Sequence, residues 1–167
     1  MQAGSALAYV DNGDGTITDV YTSLMWEKNS QNDGSIHDIA NNALTWVEAF
    51  SIHVAALNAM SFAGHSDWRL PNIRELASII NYENGGSDPA IGGAIPTVSP
   101  AFSNNCTSPC TVLSCSCTEP VYYWSSTTSA ISPQKAFTVH FGDASVIAGY
   151  GKTPPSAAIV RAVRGGS

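Results

Sequence analysis

Charge is the scarcest property of this 167-residue chain: Asp, Glu, Lys and Arg make up 12 % of it, against ~25 % in an ordinary soluble domain. Cations are scarcer than anions, with 7 Lys and Arg against 13 Asp and Glu and a net charge of −6. The basic patch or stripe of a nucleic-acid-binding domain is missing, so nucleic acid is not an expected partner. Anionic membranes and sulfated polysaccharides fit poorly for the same reason. No run of ~18 apolar residues occurs, so no segment reads as membrane-spanning. No secretory signal is visible at Met1-Gln2-Ala3-Gly4-Ser5, so an export signal or anchor would lie outside this sequence.

Catalytic motifs are missing too. The chain has no Gly-rich phosphate loop, no His-Glu-x-x-His helix and no Gly-x-Ser-x-Gly elbow. His65, Ser66 and Asp67 have the residue types of a serine hydrolase, but triad members come from separate segments. They read as a polar loop entering Trp68-Arg69-Leu70. An EF-hand starting at Asp11 would need oxygen ligands at its third and fifth places and Glu at its twelfth. Those places hold Gly13, Gly15 and Thr22, so the segment reads as a turn. No enzyme, cofactor or metal is expected from these segments.

Hydrophobic residues reach 44 %, enough for one packed domain over 1–167 and too many for a disordered chain. The four cysteines, Cys106, Cys110, Cys115 and Cys117, stand close together in a Ser/Thr/Pro-rich stretch. Two disulfides or a zinc site could use them. Zinc ligand pairs are usually two to four residues apart; here three, four and one residues intervene and no His is near. The spacing favours disulfides. A Cys115–Cys117 bridge would be strained, so each of Cys106 and Cys110 should pair with Cys115 or Cys117. Disulfides imply an oxidising compartment, hence secretion or the cell surface.

Turn dipeptides Asn12-Gly13 and Asp14-Gly15 open a hairpin or meander leading to Leu24-Met25-Trp26. Ile39, Ala43, Val47, Phe50, Val54 and Leu57 recur at helical spacing and predict a helix over 38–60. A second helix follows Pro71, with Asn72 as its cap and Glu75 completing a capping box. Residues 84–120 read as a long loop stapled by the cysteines. Phe137, Val139 and Phe141 alternate with Thr138 and His140, as on a strand that points Thr138 and His140 away from the core. Ile159 to Val163 reads as a final strand. Helices between short antiparallel strands make the fold class α+β. Within 125–158 only Lys135, Asp143 and Lys152 are charged, amid Ser, Thr, Gly and Pro. A face rich in Ser, Gly and Tyr and poor in Lys and Glu has the composition of antibody loops.

Several segments together resemble a known family. They are Asp11-Asn12-Gly13-Asp14-Gly15-Thr16-Ile17-Thr18-Asp19 and Leu24-Met25-Trp26, then Trp68-Arg69-Leu70-Pro71-Asn72 leading to Glu75-Leu76. Tyr123-Trp124-Ser125-Ser126-Thr127 and Val160-Arg161-Ala162-Val163-Arg164-Gly165-Gly166 complete the set. This order resembles the family that includes the C-terminal domain of bacterial collagen-like adhesins. The resemblance covers nearly the whole chain, with the cysteine-bearing loop as an insertion. It implies a C-type-lectin-like fold of the formylglycine-generating-enzyme type: a twisted antiparallel sheet, two helices, and first and last strands near each other. The sulfatase-modifying enzymes of that fold use cysteines late in the chain, and none follows Cys117. The resemblance therefore implies a binding scaffold.

A narrower resemblance is to variable proteins of diversity-generating retroelements. Their rewritten segment starts near Trp-Ser-Ser and ends at Val-Arg-Ala-Val-Arg-Gly-Gly, frames that stand here at Trp124 and Val160. It implies a ligand-binding face built from Ser129, Ile131, Ser132, Pro133, Gln134, Thr138, His140, Asp143, Ser145, Ile147, Tyr150, Thr153, Pro154, Pro155 and Ser156. Ile131, His140, Ile147 and Tyr150 are the expected contact anchors. The partner would be a protein or glycan on another cell or surface. The alternative is a fixed-sequence adhesin domain that binds glycans, as a trimer by analogy with the collagen-like relatives.

Overall fold

The computed structural model describes residues 8–88 and 93–166; the Met1–Ser5 start and part of the 84–120 loop lie outside them. In chain order the strands are β1 (Tyr9–Asp11), β2 (Thr16–Asp19), β3 (Leu24–Glu27), β4 (Ala43–Leu44), β5 (Gly86–Asp88) and β6 (Gly93–Ile95). They continue as β7 (Tyr122–Thr128), β8 (Lys135–His140), β9 (Ser145–Gly151), β10 (Ala158–Ile159) and β11 (Val163–Gly165). One sheet has the order β1-β2-β3-β11 and another the order β4-β10-β7-β8-β9, with β5 and β6 forming a separate hairpin. The architecture is α+β. The N-terminal and C-terminal strands share one sheet, because β11 pairs with β3.

The opening turn follows from its residues. Asp11 Oδ1 accepts from the Gly13 amide at 2.9 Å, and Asp14 Oδ1 accepts from the Thr16 amide at 3.1 Å and its hydroxyl at 2.6 Å. Gly15 has φ +94°, and a Cβ there would lie 2.9 Å from Val112 Cγ2. Only glycine meets both the angle and the close approach.

The first helix is shorter than its apolar periodicity predicts. Thr45 caps it, and Glu48 Oε2 accepts from the Thr45 amide at 2.9 Å. The helix then runs through Trp46–Glu48, Ala49–Val54 in π form and Ala55–Ala59. Ile39 instead starts the 3-10 turn Ile39–Asn41, and Ala43 lies in β4. A cap at Thr45 stabilises the helix start by about 1 kcal/mol, and upstream apolar spacing does not outweigh it. Val47 turns outward and is 58 % exposed, while Ala49, Val54 and Leu57 are buried. The second helix, Ile73–Ser78, has the predicted capping box: Asn72 Oδ1 accepts from the Arg74 and Glu75 amides.

Two other expectations change. The 84–120 segment is not only a surface loop. It contributes Val98, Phe102 and Val112 to the interior, and Phe102 packs edge-on against Trp26 at 6.0 Å. The predicted final strand is split: Ala158–Ile159 joins one sheet and Val163–Gly165 the other. Val160, Arg161 and Ala162 cross between them, fully buried.

That crossing meets an internal polar hub. Glu27 at the end of β3 has no exposed surface. Its carboxylate lies 2.6 Å from His37 Nδ1 and 2.8 Å from His53 Nε2, and it accepts from the Ala162 amide at 2.9 Å. Arg161, also fully buried, donates to the Glu27 carbonyl at 3.2 Å, the Cys117 carbonyl at 2.6 Å and Thr118 Oγ1 at 2.9 Å. Burial pushes the Glu27 carboxyl up, but the His53 and His37 rings outweigh it and hold the carboxyl far below its ordinary 4.5. A carboxyl lowered by folding adds stability that is complete above its unfolded value and is lost as pH falls below it. The domain should therefore lose stability below about pH 4.5. Glu27→Gln should flatten that acid limb and cost about 3–5 kcal/mol at neutral pH, because it leaves buried donors unpaired. Urea titrations across pH 3–7 check both.

Candidate functional site

The predicted face is built on the antiparallel run β7-β8-β9. Paired residues point to the same side, which groups Tyr123 with Val139, and Trp124 with Thr138. Tyr123, Val139 and Phe141 enter the main core with Leu76 and Ile79. On the opposite side, Trp124 and Ala136 pack with Leu70, Trp46, Phe50 and Tyr150. Both faces of β7 and β8 are therefore covered, while the edge strand β9 stays partly exposed. Thr138 does point away from Val139, as alternation predicts, but it has no exposed surface, because the first helix covers that side. This corrects the expectation that the side is open.

The fifteen predicted residues fall in several places. Ile131, Pro133 and Gln134 are exposed and Ser132 is half-buried, all in the β7–β8 turn; Ile131 is 97 % exposed. Ser129 begins that turn but is buried, its amide donating to the Lys135 carbonyl at 2.9 Å. Thr153, Pro154 and Pro155 are exposed and Ser156 is half-buried, in the strap that leaves β9 and returns to the start of β10. Turn and strap meet at Lys152, whose amide donates to the Gln134 carbonyl at 3.0 Å and whose ammonium donates to Thr128 Oγ1 at 2.7 Å. The ammonium also lies 4.0 Å from the Trp46 ring centroid.

His140, Asp143 and Ser145 lie at the other end of the hairpins, roughly 20 Å away for a seven-residue strand. There His140 Nδ1 lies 3.0 Å from Asp143 Oδ1, and the Ser145 amide donates to the same oxygen at 3.0 Å. Ser145 and His140 hold the Asp143 carboxyl below its ordinary value. Ile147 is half-buried midway along the edge strand β9. The structure thus brings turn and strap together and leaves the β8–β9 end apart.

Tyr150 is part of the framework. Its ring lies tilted 4.8 Å from Tyr122 and meets Trp124 edge-on at 5.1 Å, and its hydroxyl donates to the Ala157 carbonyl at 3.1 Å, holding the strap down. Tyr122 in turn packs edge-on against His140 at 4.6 Å. Tyr122 and Tyr150 face a cleft of about 400 Å³, whose wall includes Glu119. Neither Tyr122 nor Glu119 was marked by motif or periodicity. Their signal is compositional: no Lys or Arg stands between Arg74 and Lys135, and Glu119 is the only acid between Asp88 and Asp143.

The cysteines form two bridges, Cys106–Cys117 and Cys110–Cys115, each joining the two sequence pairs as expected. Sulfurs of Cys106, Cys110 and Cys117 lie within 4.8 Å of one another, but all are committed to disulfides and carry no thiolate for zinc. Asp67, the acid of the His-Ser-Asp run, is taken by Arg164, whose Nε donates at 2.7 Å. Glu75 is clamped by Arg69 at 2.7 and 2.8 Å.

The family model described as the Lcl C-terminal domain matches residues 15–164. The chain belongs to this family. No curated protein and no solved structure matches it. The match begins inside the opening turn, after β1, and ends one residue after Val163, so this Lcl C-terminal domain match takes in the five-stranded sheet, the cysteine loop and the whole 125–158 segment.

Replacing Tyr150 by Ala should lower stability by about 2–3 kcal/mol through lost aromatic packing. Ile131→Ala should change it by less than about 0.5 kcal/mol. Thr138 Oγ1 is buried without a hydrogen-bond partner, so Thr138→Val should be neutral or stabilising. Thermal unfolding of the three variants checks the division between framework and display.

Proposed function

We propose that this domain is a non-catalytic extracellular ligand-binding module. Its binding face is the 129–134 turn together with the 152–156 strap, and its scaffold is C-type-lectin-like. One observation carries the reading: the frames of the segment are buried, while the turn and the strap between them are displayed. Trp124, Ser125, Val160, Arg161 and Ala162 have no exposed surface, whereas Ile131, Pro133, Gln134, Thr153, Pro154 and Pro155 are exposed. Side chains in the displayed set can change without disturbing the core, which is what a diversified receptor needs. The Lcl C-terminal family is compatible with an adhesin-like role of this kind.

Several observations support binding over catalysis. The three-member cluster of Glu27, His37 and His53 is sealed inside the fold, where no substrate reaches it. The two disulfides fit an oxidising compartment, hence a secreted or surface-displayed protein. A net charge of −6 supports a protein or neutral glycan ligand over nucleic acid or an anionic membrane. Proline in the strap and the anchors at Lys152 and Tyr150 limit the ordering entropy lost on binding.

The face is further read as the product of a diversity-generating retroelement. Sequencing the 3′ end of the gene across a population of source cells tests this. Substitutions should fall only between the codons for Trp124 and Val160, at adenines of a nearby template copy, and should be densest at the exposed turn and strap positions. An invariant 3′ end would remove the diversification, leaving a fixed-sequence glycan-binding adhesin as the function to test.

A further inference from the structure

The cleft beside β7 is at the opposite end of that strand from the 129–134 turn. It is enclosed by the Ile39–Asn41 turn, β4, the start of β7 and the start of β10, and has a volume of about 400 Å³. Such a volume lies within the range of small-ligand sites. The Tyr122 and Tyr150 rings line it, with the small side chains of Ala40, Ala43 and Ala157 around them. Among the described residues, Glu119 is the only carboxylate in the wall, and no Lys, Arg or His lines it.

Glu119 differs from seven other acids of the domain. Asp11, Glu27, Asp38, Glu48, Asp67, Glu75 and Asp143 all have carboxyls held below their ordinary values by partners within the fold. The Glu119 carboxyl is pushed up instead, first by burial and then by the nearby charge of Asp38. Among the described residues its carboxylate makes no ion pair and no hydrogen bond; its partners are backbone ones, the amide donating to the Tyr123 hydroxyl at 3.0 Å and the carbonyl accepting from the Val121 amide at 2.9 Å. A half-buried carboxylate without a cation is a standing electrostatic deficit. The tyrosine faces beside it present the negative side of their quadrupoles.

We propose that this cleft is a receptor site for a lysine side chain of a protein ligand. The ammonium meets Glu119, and the four-carbon stem lies along Tyr122 and the alanines, as lysine stems do on apolar surfaces. A single carboxylate suits a compact point charge with rotatable donors. The proposal rests on the ligand-binding reading above, but it uses a different part of the molecule.

The test is a two-dimensional NMR titration of the full chain with Nα-acetyl-lysine amide. The expected result is saturable shifts confined to the amides around Tyr122, Tyr150 and Ala157. Nε-acetylation of the probe, or its replacement by the norleucine analogue, should weaken binding at least tenfold. Glu119→Gln should do the same. Ala43→Lys, at an exposed position on the rim, places the chain's own ammonium in the cleft and should abolish probe binding even if Glu119→Gln fails to fold. Ile131→Asp, on the distant turn, should leave the probe's affinity unchanged, so failure of the turn face and failure of the cleft are separable. Equal binding of the norleucine analogue would overturn the proposal. So would tighter binding of Nα-acetyl-arginine amide, shifts in the cleft with methyl glycosides but not with lysine, or unaltered probe binding by Ala43→Lys.

Discussion

A carboxylate with no access to water holds this domain together. Glu27 ends β3, and it fixes His53 from the first helix, His37 from the loop after β3 and the Ala162 amide from the segment between the two sheets. Arg161 extends the same hub to the cysteine loop through the Cys117 carbonyl and Thr118. Five parts of the chain thus meet at one polar centre inside an apolar shell. Such a centre adds little net stability compared with a well-packed apolar one, but removing either member leaves a buried charge behind. That asymmetry favours a single arrangement of the sheets.

The hub explains why the last strand is broken. A continuous strand over 159–163 would keep all five residues in one sheet. Instead, Val160 to Ala162 turn inward, where Asn29 and Asn42 both donate to the Val160 carbonyl at 3.2 and 2.7 Å. The backbone groups that leave the ladder find partners in side chains, as buried groups must. Tyr123 closes the ring beside Arg161, and burial pushes its hydroxyl up to about 12, so it remains a neutral donor or acceptor at any physiological pH.

Much of this was legible in the residues, and what was not has physical causes. The Asn12–Gly15 turn, the Asn72–Glu75 capping box and the cysteine pairing rest on local geometry, and sequence spacing expresses local geometry directly. The start of the first helix was misread because the apolar spacing of Ile39 and Ala43 belongs by coincidence to a 3-10 turn and a strand, while Thr45 holds the true cap. Alternation located Thr138 on the correct side of β8 but could not show that a helix covers that side. Tyr150 has a composition suited to contact and a position suited to support. The hub was invisible, since Glu27, His37, His53 and Arg161 share no spacing. Only the fold brings them together.

The turn and the strap have unequal anchorage. The turn is closed by backbone hydrogen bonds within its own hairpin, from Ser129 to Lys135 and from Lys135 to Ser132. The strap is tied to the turn by one backbone bond, from the Lys152 amide to the Gln134 carbonyl, and otherwise depends on two side chains, the Tyr150 hydroxyl and the Lys152 ammonium. A peptide grafted into the turn would inherit a self-closing clasp and tolerate a change of length, because each doubling of a loop adds only about 0.6 kcal/mol of closure entropy. The same graft in the strap would have to keep two particular side chains at its entrance. For anyone using this domain as an engineering scaffold, the first segment is an open socket and the second a keyed one.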